Sequence, residues 1–202
     1  MTPMPGLPRQ ILCSVLFVVG VLAALTLAQR LLSPRLQVQA TEQALAPLRE
    51  LLGGLAFDND PRAEATTVTD SRLGPGPQQV YPVTLSGTRR ATVVTATSNE
   101  GYGGALDLLI AITVEGRVIG VRVVRHSETA GVGDAYARAD TDWLSGFSGR
   151  SLADPPPPRW RVRSDGGDFD HVTGATITPR AIVGAVRRAL EWHADPASGS
   201  RH

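Results

Sequence analysis

The chain has 202 residues, 42% of them hydrophobic, so one domain with a real core fits and wholesale disorder is excluded. Its 20 basic residues, all of them arginine, nearly balance 19 acidic residues, whereas a nucleic-acid-binding protein shows a basic surplus or stripe. The absence of lysine excludes Schiff-base chemistry and the lysine-dependent phosphate loop. One cysteine and four histidines leave little room for a disulfide or an all-protein metal site.

A membrane-spanning segment is predicted near the N-terminus. After a short segment over residues 1–10, residues 11–28 contain no charge and are flanked by Arg9 and Arg30. As a helix they would extend about 27 Å, close to the roughly 30 Å of a bilayer core. A cleaved signal peptide is the alternative, but the long apolar run and the single preceding arginine favour a retained anchor. The flanking charges do not decide its orientation.

Residues 29–54 are predicted to be a membrane-proximal stalk. Within them, residues 41–52 place apolar side chains at helical spacing and end at two glycines, although Pro47 interrupts the pattern. This stretch reads equally well as a packing element of the following domain, which we expect to cover residues 55–194. Residues 57–87, rich in Asp, Pro, Gly and Thr, predict an irregular covering segment.

Three strands are predicted next, because β-branched residues are concentrated in residues 90–97, 106–114 and 117–124. The dipeptide Glu115-Gly116 between the last two predicts a tight hairpin.

The second half of the domain mixes short elements. A helix is predicted over residues 134–144, with candidate buried side chains at Tyr136, Trp143 and Leu144. Four prolines at residues 155–158 predict a stiff extended connector, and residues 160–162 a short edge strand.

The last predicted element is an amphipathic helix over residues 179–192, with Thr178 as N-cap and Pro179 as its first residue. Residues 195–202 form a polar tail. These elements together predict a small α+β domain with an antiparallel sheet and flanking helices.

The segment with most chemical promise is DHVTGATIT, residues 170–178, immediately before that helix. Free N–H groups and the positive end of a helix dipole stabilise anions, phosphate above all. A phosphate on the Oγ of Thr176 would lie near those donors, and the small Gly174 and Ala175 would admit a bulky group. An ordinary capping turn explains the same residues.

Two further glycine-containing segments are candidates. HSETAGVGD, residues 126–134, offers a flexible backbone at Gly131 and Gly133 but not the third glycine of a dinucleotide fingerprint. Glu128 and His126 there are candidate general acid–base groups, but the sequence indicates no nucleophile for them to activate. In the other segment, GYGG at residues 101–104, Tyr102 reads as a stacking platform or a packing residue.

Taken together, these segments resemble the covalent-flavin subunits of bacterial ion-translocating electron-transport complexes, most closely the G subunit of the Rnf family. DHVTGAT is similar to the family's D-x-x-[ST]-G-A-T flavinylation motif, and HSETAGVGD to its H-x-E-T-P-G-L-G-D loop. The resemblance spans roughly residues 101–190 and the N-terminal anchor. Ala130 departs from the family's usual proline, and no basic residue follows Asp134.

This resemblance implies an electron carrier without substrate chemistry of its own, whose FMN is joined through its phosphate to Thr176 by a separate flavin transferase. It implies that the attachment turn is shaped by Thr173, Gly174 and Ala175, with Asp170 part of the signal that the transferase reads. The implied flavin neighbours in the Glu-Thr loop are Glu128, Thr129, Gly131 and Gly133. No metal site and no catalytic residue are expected.

The resemblance also implies a single-pass protein of the bacterial inner membrane, with its domain on the periplasmic side. Other membrane subunits of the complex and membrane lipid are the expected partners, and nucleic acid is not. Two alternatives stay open: the related FMN subunit of a sodium-pumping quinone reductase, and a membrane-anchored ligand-binding or assembly module without redox activity.

Overall fold

The computed structural model describes residues 48–128, 136, 142–171 and 175–195, which belong to one compact unit beginning at Leu48. Five strands form one antiparallel sheet in which each strand pairs with the next along the chain. The strands are β1 (Thr66–Val68), β2 (Gln78–Leu85), β3 (Thr88–Gly101), β4 (Gly104–Thr113) and β5 (Val118–Arg125). The predicted α+β class with an antiparallel sheet is confirmed.

The three predicted strands correspond to β3, β4 and β5, with bounds that differ by a few residues, and the predicted hairpin joins β4 to β5. Gly116 adopts a positive φ of 77°, and its N–H donates to Thr113 O at 3.0 Å. A residue with a side chain rarely adopts that backbone conformation, which is why glycine stands at this turn.

The prediction of an irregular segment over residues 57–87 is wrong, because β1 and β2 lie there. Val80 and Val83 of β2 are buried, and Val80 pairs with Val94 of β3. The sequence signal is weak because Pro82 interrupts it. Since β1 pairs only with residues 78–80, Pro82 lies beyond the strand pairing of β1 with β2. A missing N–H is tolerated there, and the Pro82 carbonyl accepts Nδ2 of Asn59 at 2.9 Å.

One long helix, α1 (Ile177–His193), packs against β3 and β4 and closes the core. Its buried face includes Ile182, Val186 and Leu190, which meet Leu108 and Ile110 in the same apolar cluster. The predicted start was wrong by two residues: Thr176, not Thr178, is the N-cap residue. Pro179 fits inside the first turn because N–H groups there have no acceptor within the helix.

An aromatic cluster fills one end of the core and consists of Tyr136, Trp143, Phe147, Trp160 and Phe169. Within the predicted helix 134–144, the described part is Tyr136 and a 3-10 helix, Asp142–Phe147; the remaining residues lie outside the described ones. Tyr136 and Leu144 are buried as predicted, whereas Trp143 is only partly buried.

The predicted connector and edge strand after it are corrected. Part of the proline run forms a 3-10 helix, Pro157–Arg159, and Val162 forms one isolated bridge with Phe169 outside the sheet. Trp160 is buried, and its indole N–H donates to the carbonyls of Ser151 at 3.2 Å and Pro155 at 2.9 Å. These two hydrogen bonds anchor the proline-rich segment to a side chain buried in the core.

Residues 48–51 are helical and pack within the domain. Leu48, Leu51 and Leu52 are buried, and a methyl group at Gly120 of β5 would lie only 2.5 Å from Leu51 O. This supports the packing-element interpretation for that part of the predicted stalk. Among the residues that the structure describes, no helix is long and apolar enough to cross a membrane, and the predicted anchor at residues 11–28 lies outside them.

Candidate functional site

The candidate site lies at one end of the sheet. Because the strands are antiparallel, the end of β3, the start of β4 and the end of β5 meet at the same edge. Residues 126–128 continue from β5, and contacts of Glu128 join this edge to the first turn of α1. The GYGG turn, residues 126–128 and the first turn of α1 are thereby brought together.

Glu128 is the centre of this arrangement, and only 9% of its surface is exposed. Its Oε1 accepts the N–H of Gly103 at 3.1 Å, and its Oε2 accepts the hydroxyl of Thr178 at 2.8 Å. The backbone N–H of Glu128 in turn donates to Nδ1 of His126 at 3.3 Å. A buried carboxylate requires such partners, because an unpaired one would lose its hydration without compensation.

The GYGG turn needs its glycines because its backbone lies close to Ser127 and Glu128. A methyl group at Gly103 would lie 2.1 Å from Ser127 O, and one at Gly101 would lie 2.7 Å from Glu128 Oε1. Neither distance is compatible with a side chain. Tyr102 between them is 67% exposed, so it is not the packing residue that the sequence left as one possibility.

Thr176, the predicted attachment residue, is the half-buried N-cap residue of α1 but makes no side-chain capping bond. Its Oγ1 accepts a hydrogen bond from Nη1 of Arg180 at 3.2 Å. Arg180 is also paired with Asp165, whose two carboxylate oxygens each lie 2.6 Å from a guanidinium nitrogen. Those bonds hold the pKa of Asp165 below its ordinary value and raise the pKa of Arg180.

The start of the predicted attachment motif, at Asp170, is held by residues from other elements. The indole of Trp143 donates to Asp170 O at 2.8 Å, and the Asp170 carboxylate pairs with Nε of Arg163 at 3.0 Å. The next residue, His171, has a buried Nδ1 without a hydrogen-bond partner among the described residues. Buried nitrogens without partners are uncommon in folded proteins, so this atom points to a missing partner.

Of the predicted site residues, the structure describes Glu128, Ala175 and Thr176. The others lie outside the described residues and remain predictions; they are Thr129, Gly131, Gly133, Thr173 and Gly174.

Sequence reasoning missed three side chains that the geometry adds to this region: His171, Arg180 and Asp165. It predicted Thr178 as the N-cap, which is wrong, because the Thr178 hydroxyl bonds to Glu128 and does not cap the helix. Arg180 was open to prediction, because it follows Thr176 by four residues and that spacing places both on one helix face.

The arrangement can bind an anionic group beside the hydroxyl of a half-buried threonine. Thr176 supplies the hydroxyl, Arg180 a fixed positive charge, and Ala175 a small neighbour. Glu128 is occupied by the protein's own donors and is not poised as a general base.

Comparison with known proteins defines the class. The family model described as FMN-binding domain matches residues 101–191, which run from the GYGG turn into the last turn of α1. The chain is thus an FMN-binding-domain protein.

Curated relatives then define the family. The G subunit of the ion-translocating oxidoreductase complex from Stutzerimonas stutzeri is 45% identical over 178 residues, covering 86% of this chain and 75% of the relative. The G subunit from Cereibacter sphaeroides is 44% identical over 75% of this chain and 68% of its own length. The Pseudomonas aeruginosa protein of the same name is 39% identical over 92% and 87%. The chain belongs to this family of ion-translocating oxidoreductase complex G subunits.

Proposed function

We propose that this protein is an electron-transfer subunit of an Rnf-type ion-translocating oxidoreductase complex and carries FMN attached through its phosphate to Thr176. The FMN-binding domain and the G-subunit relatives support the redox role. The relatives' names favour the Rnf type over the sodium-pumping quinone reductase.

The observation that carries the attachment site is that the Thr176 hydroxyl makes no capping bond and accepts a hydrogen bond from Nη1 of Arg180. A threonine that only caps a helix would accept a bond from a backbone N–H of the first turn, and Thr176 makes no such bond. The hydroxyl of Thr178, the N-cap that the sequence predicted, bonds to Glu128 and does not cap the helix either. The motif therefore fits modification better than capping.

The surrounding residues fit the cofactor. Ala175 leaves the hydroxyl approachable, Arg180 carries the charge opposite to that of a phosphate, and Nδ1 of His171 is a buried polar atom in need of a partner. Bound FMN supplies one- and two-electron redox chemistry, and the chain's residues hold it and set its surroundings. Glu128 contributes by fixing the GYGG turn and the helix start relative to each other.

The proposal includes the protein's location and partners. Residues 11–28 are the single membrane anchor, in contact with lipid and with the other membrane subunits, and the domain lies on the periplasmic side. A flavin transferase matures the protein.

In-gel fluorescence tests the attachment directly. The chain is co-expressed with a flavin transferase, denatured, separated and viewed under ultraviolet light, as wild type, Thr176→Ala and Thr176→Ser. We expect fluorescence from the wild type, none from Thr176→Ala, and retained signal from Thr176→Ser, which keeps an acceptor hydroxyl. Fluorescence from a folded Thr176→Ala protein would remove Thr176 from the proposal.

A further inference from the structure

We propose that Arg180 binds the flavin phosphate at Thr176 and that Asp165 is the positioning residue that holds Arg180 there. This inference rests on the proposed attachment to Thr176 and adds to it two residues outside the D-x-x-T-G-A-T motif.

The guanidinium of Arg180 donates hydrogen bonds both to Asp165 and to Thr176. Its Nε and Nη2 each donate to the Asp165 carboxylate at 2.6 Å, and its Nη1 donates to Thr176 Oγ1 at 3.2 Å. A guanidinium has five N–H groups, so Nη1 retains a second one for another acceptor. That second donor lies beside the oxygen at which the phosphate would be attached.

Asp165 holds the guanidinium of Arg180 from a different element of the fold. It ends the 3-10 helix Arg163–Asp165, and its two oxygens engage Arg180 in the bidentate geometry that arginine favours. The side chains of Arg180 and Asp165 are 48% and 31% exposed, and ion pairs this exposed add little to stability. Stability therefore does not explain the pair, whereas a role in holding the positive charge of Arg180 beside Thr176 does.

The attachment step shows what Arg180 would do. Thr176 Oγ forms a bond to the flavin phosphorus of a donor such as flavin adenine dinucleotide. The bond from that phosphorus to the bridging oxygen breaks, the nucleoside monophosphate leaves with the electron pair, and the hydroxyl proton passes to a base of the transferase. Arg180 stays protonated throughout, orients Oγ by occupying one lone pair, and offsets the negative charge on the phosphate oxygens. The resulting phosphodiester keeps one negative charge beside the guanidinium.

The test is the initial rate of covalent flavin attachment to the full chain, with flavin adenine dinucleotide and a purified transferase, followed by intact mass. Losing a charge-assisted hydrogen bond predicts attachment about ten- to a hundred-fold slower for Arg180→Gln. Arg180→Lys keeps the positive charge but loses the bidentate geometry of the guanidinium, so its attachment rate should lie between those of the wild type and Arg180→Gln. The matched control is Arg187→Ala, on the same helix but about 16 Å along its axis from Thr176, which should react at the wild-type rate.

A second readout separates binding from a structural role. If Arg180 attracts the donor phosphate, added salt slows the wild type more steeply than Arg180→Gln, because salt screens that attraction. Equal rates and equal salt dependence in the two proteins would overturn the inference. If Arg180→Gln does not fold, Asp165→Asn replaces it, and attachment at the wild-type rate in that variant is then the overturning result. A wild type without flavin, beside a substrate that the transferase does modify, would instead refute the proposed function.

Discussion

The carboxylate of Glu128 accepts the hydroxyl hydrogen of Thr178 at 2.8 Å, between residues 50 positions apart in sequence. The same carboxylate accepts the N–H of Gly103, so one side chain joins the sheet edge to the start of α1. Thr176 lies two residues before Thr178, so we expect this contact to position the proposed attachment hydroxyl at the start of α1.

Removing the carboxylate should destabilise the domain. Glu128→Ala leaves the buried Thr178 hydroxyl and the Gly103 N–H without acceptors, which predicts a loss of about 2–3 kcal/mol in the free energy of unfolding. Urea denaturation of the flavin-free protein measures it. Glu128→Gln keeps one acceptor oxygen and should lose less. A double-mutant cycle with Thr178→Val should give a coupling of about 1 kcal/mol or more; additive effects would contradict the contact.

The close approach of the GYGG turn gives a prediction with a matched control. Gly103→Ala would put a methyl group 2.1 Å from Ser127 O, so the segment carrying Glu128 must shift. We expect a lower melting temperature and slower flavin attachment. Gly146→Ala is the control, because nothing lies within 4 Å of a methyl group there, and it should behave as wild type. Equal melting temperatures for the two variants would refute this account of the turn.

The ion pair of Asp165 with Arg180 predicts a pH dependence. The bonds from Arg180 lower the folded-state pKa of Asp165, so the stabilisation is complete above the unfolded-state pKa of about 3.9. It is lost as the pH falls through the folded-state value. The difference in unfolding free energy between wild type and Asp165→Asn should therefore be small, because the pair is exposed, constant from pH 7 to 5, and smaller still below about pH 4. Denaturation curves at several pH values measure this difference, and one that does not change with pH would count against the pair.

The aromatic cluster should be a main source of stability. Phe147 is fully buried and stacks on Phe169 with 4.8 Å between ring centroids. Phe147→Ala should lower the free energy of unfolding by about 3–5 kcal/mol, since it removes apolar contacts and leaves a cavity. Tyr102→Ala, at an exposed aromatic residue, should change it by less than about 0.5 kcal/mol. Chemical denaturation of both variants provides the comparison.

The predictable parts of the fold were those with a strong local pattern. Dense β-branched residues located β3, β4 and β5, and the apolar stripe located α1. Pro82 concealed β2, whose position depends on pairing with β3. The predicted N-cap was Thr178, whereas the N-cap residue is Thr176. Such choices are decided by tertiary contacts that no local pattern contains.

The candidate site also has a part that the sequence predicts and a part that only the folded chain shows. Thr176 and Glu128 stood out because their motifs are compact, whereas the partners of Glu128 lie 25 and 50 residues away. The Asp165 carboxylate is 15 residues from Arg180, and only the folded chain brings the two together.

The most direct test of the central claim is intact-protein mass spectrometry with fragment mapping, on the chain co-expressed with a flavin transferase. We predict a mass increase of one FMN less one water, carried by the peptide that contains Thr176. An unmodified Thr176, or flavin on another residue, with the transferase active on a control substrate, would contradict the account.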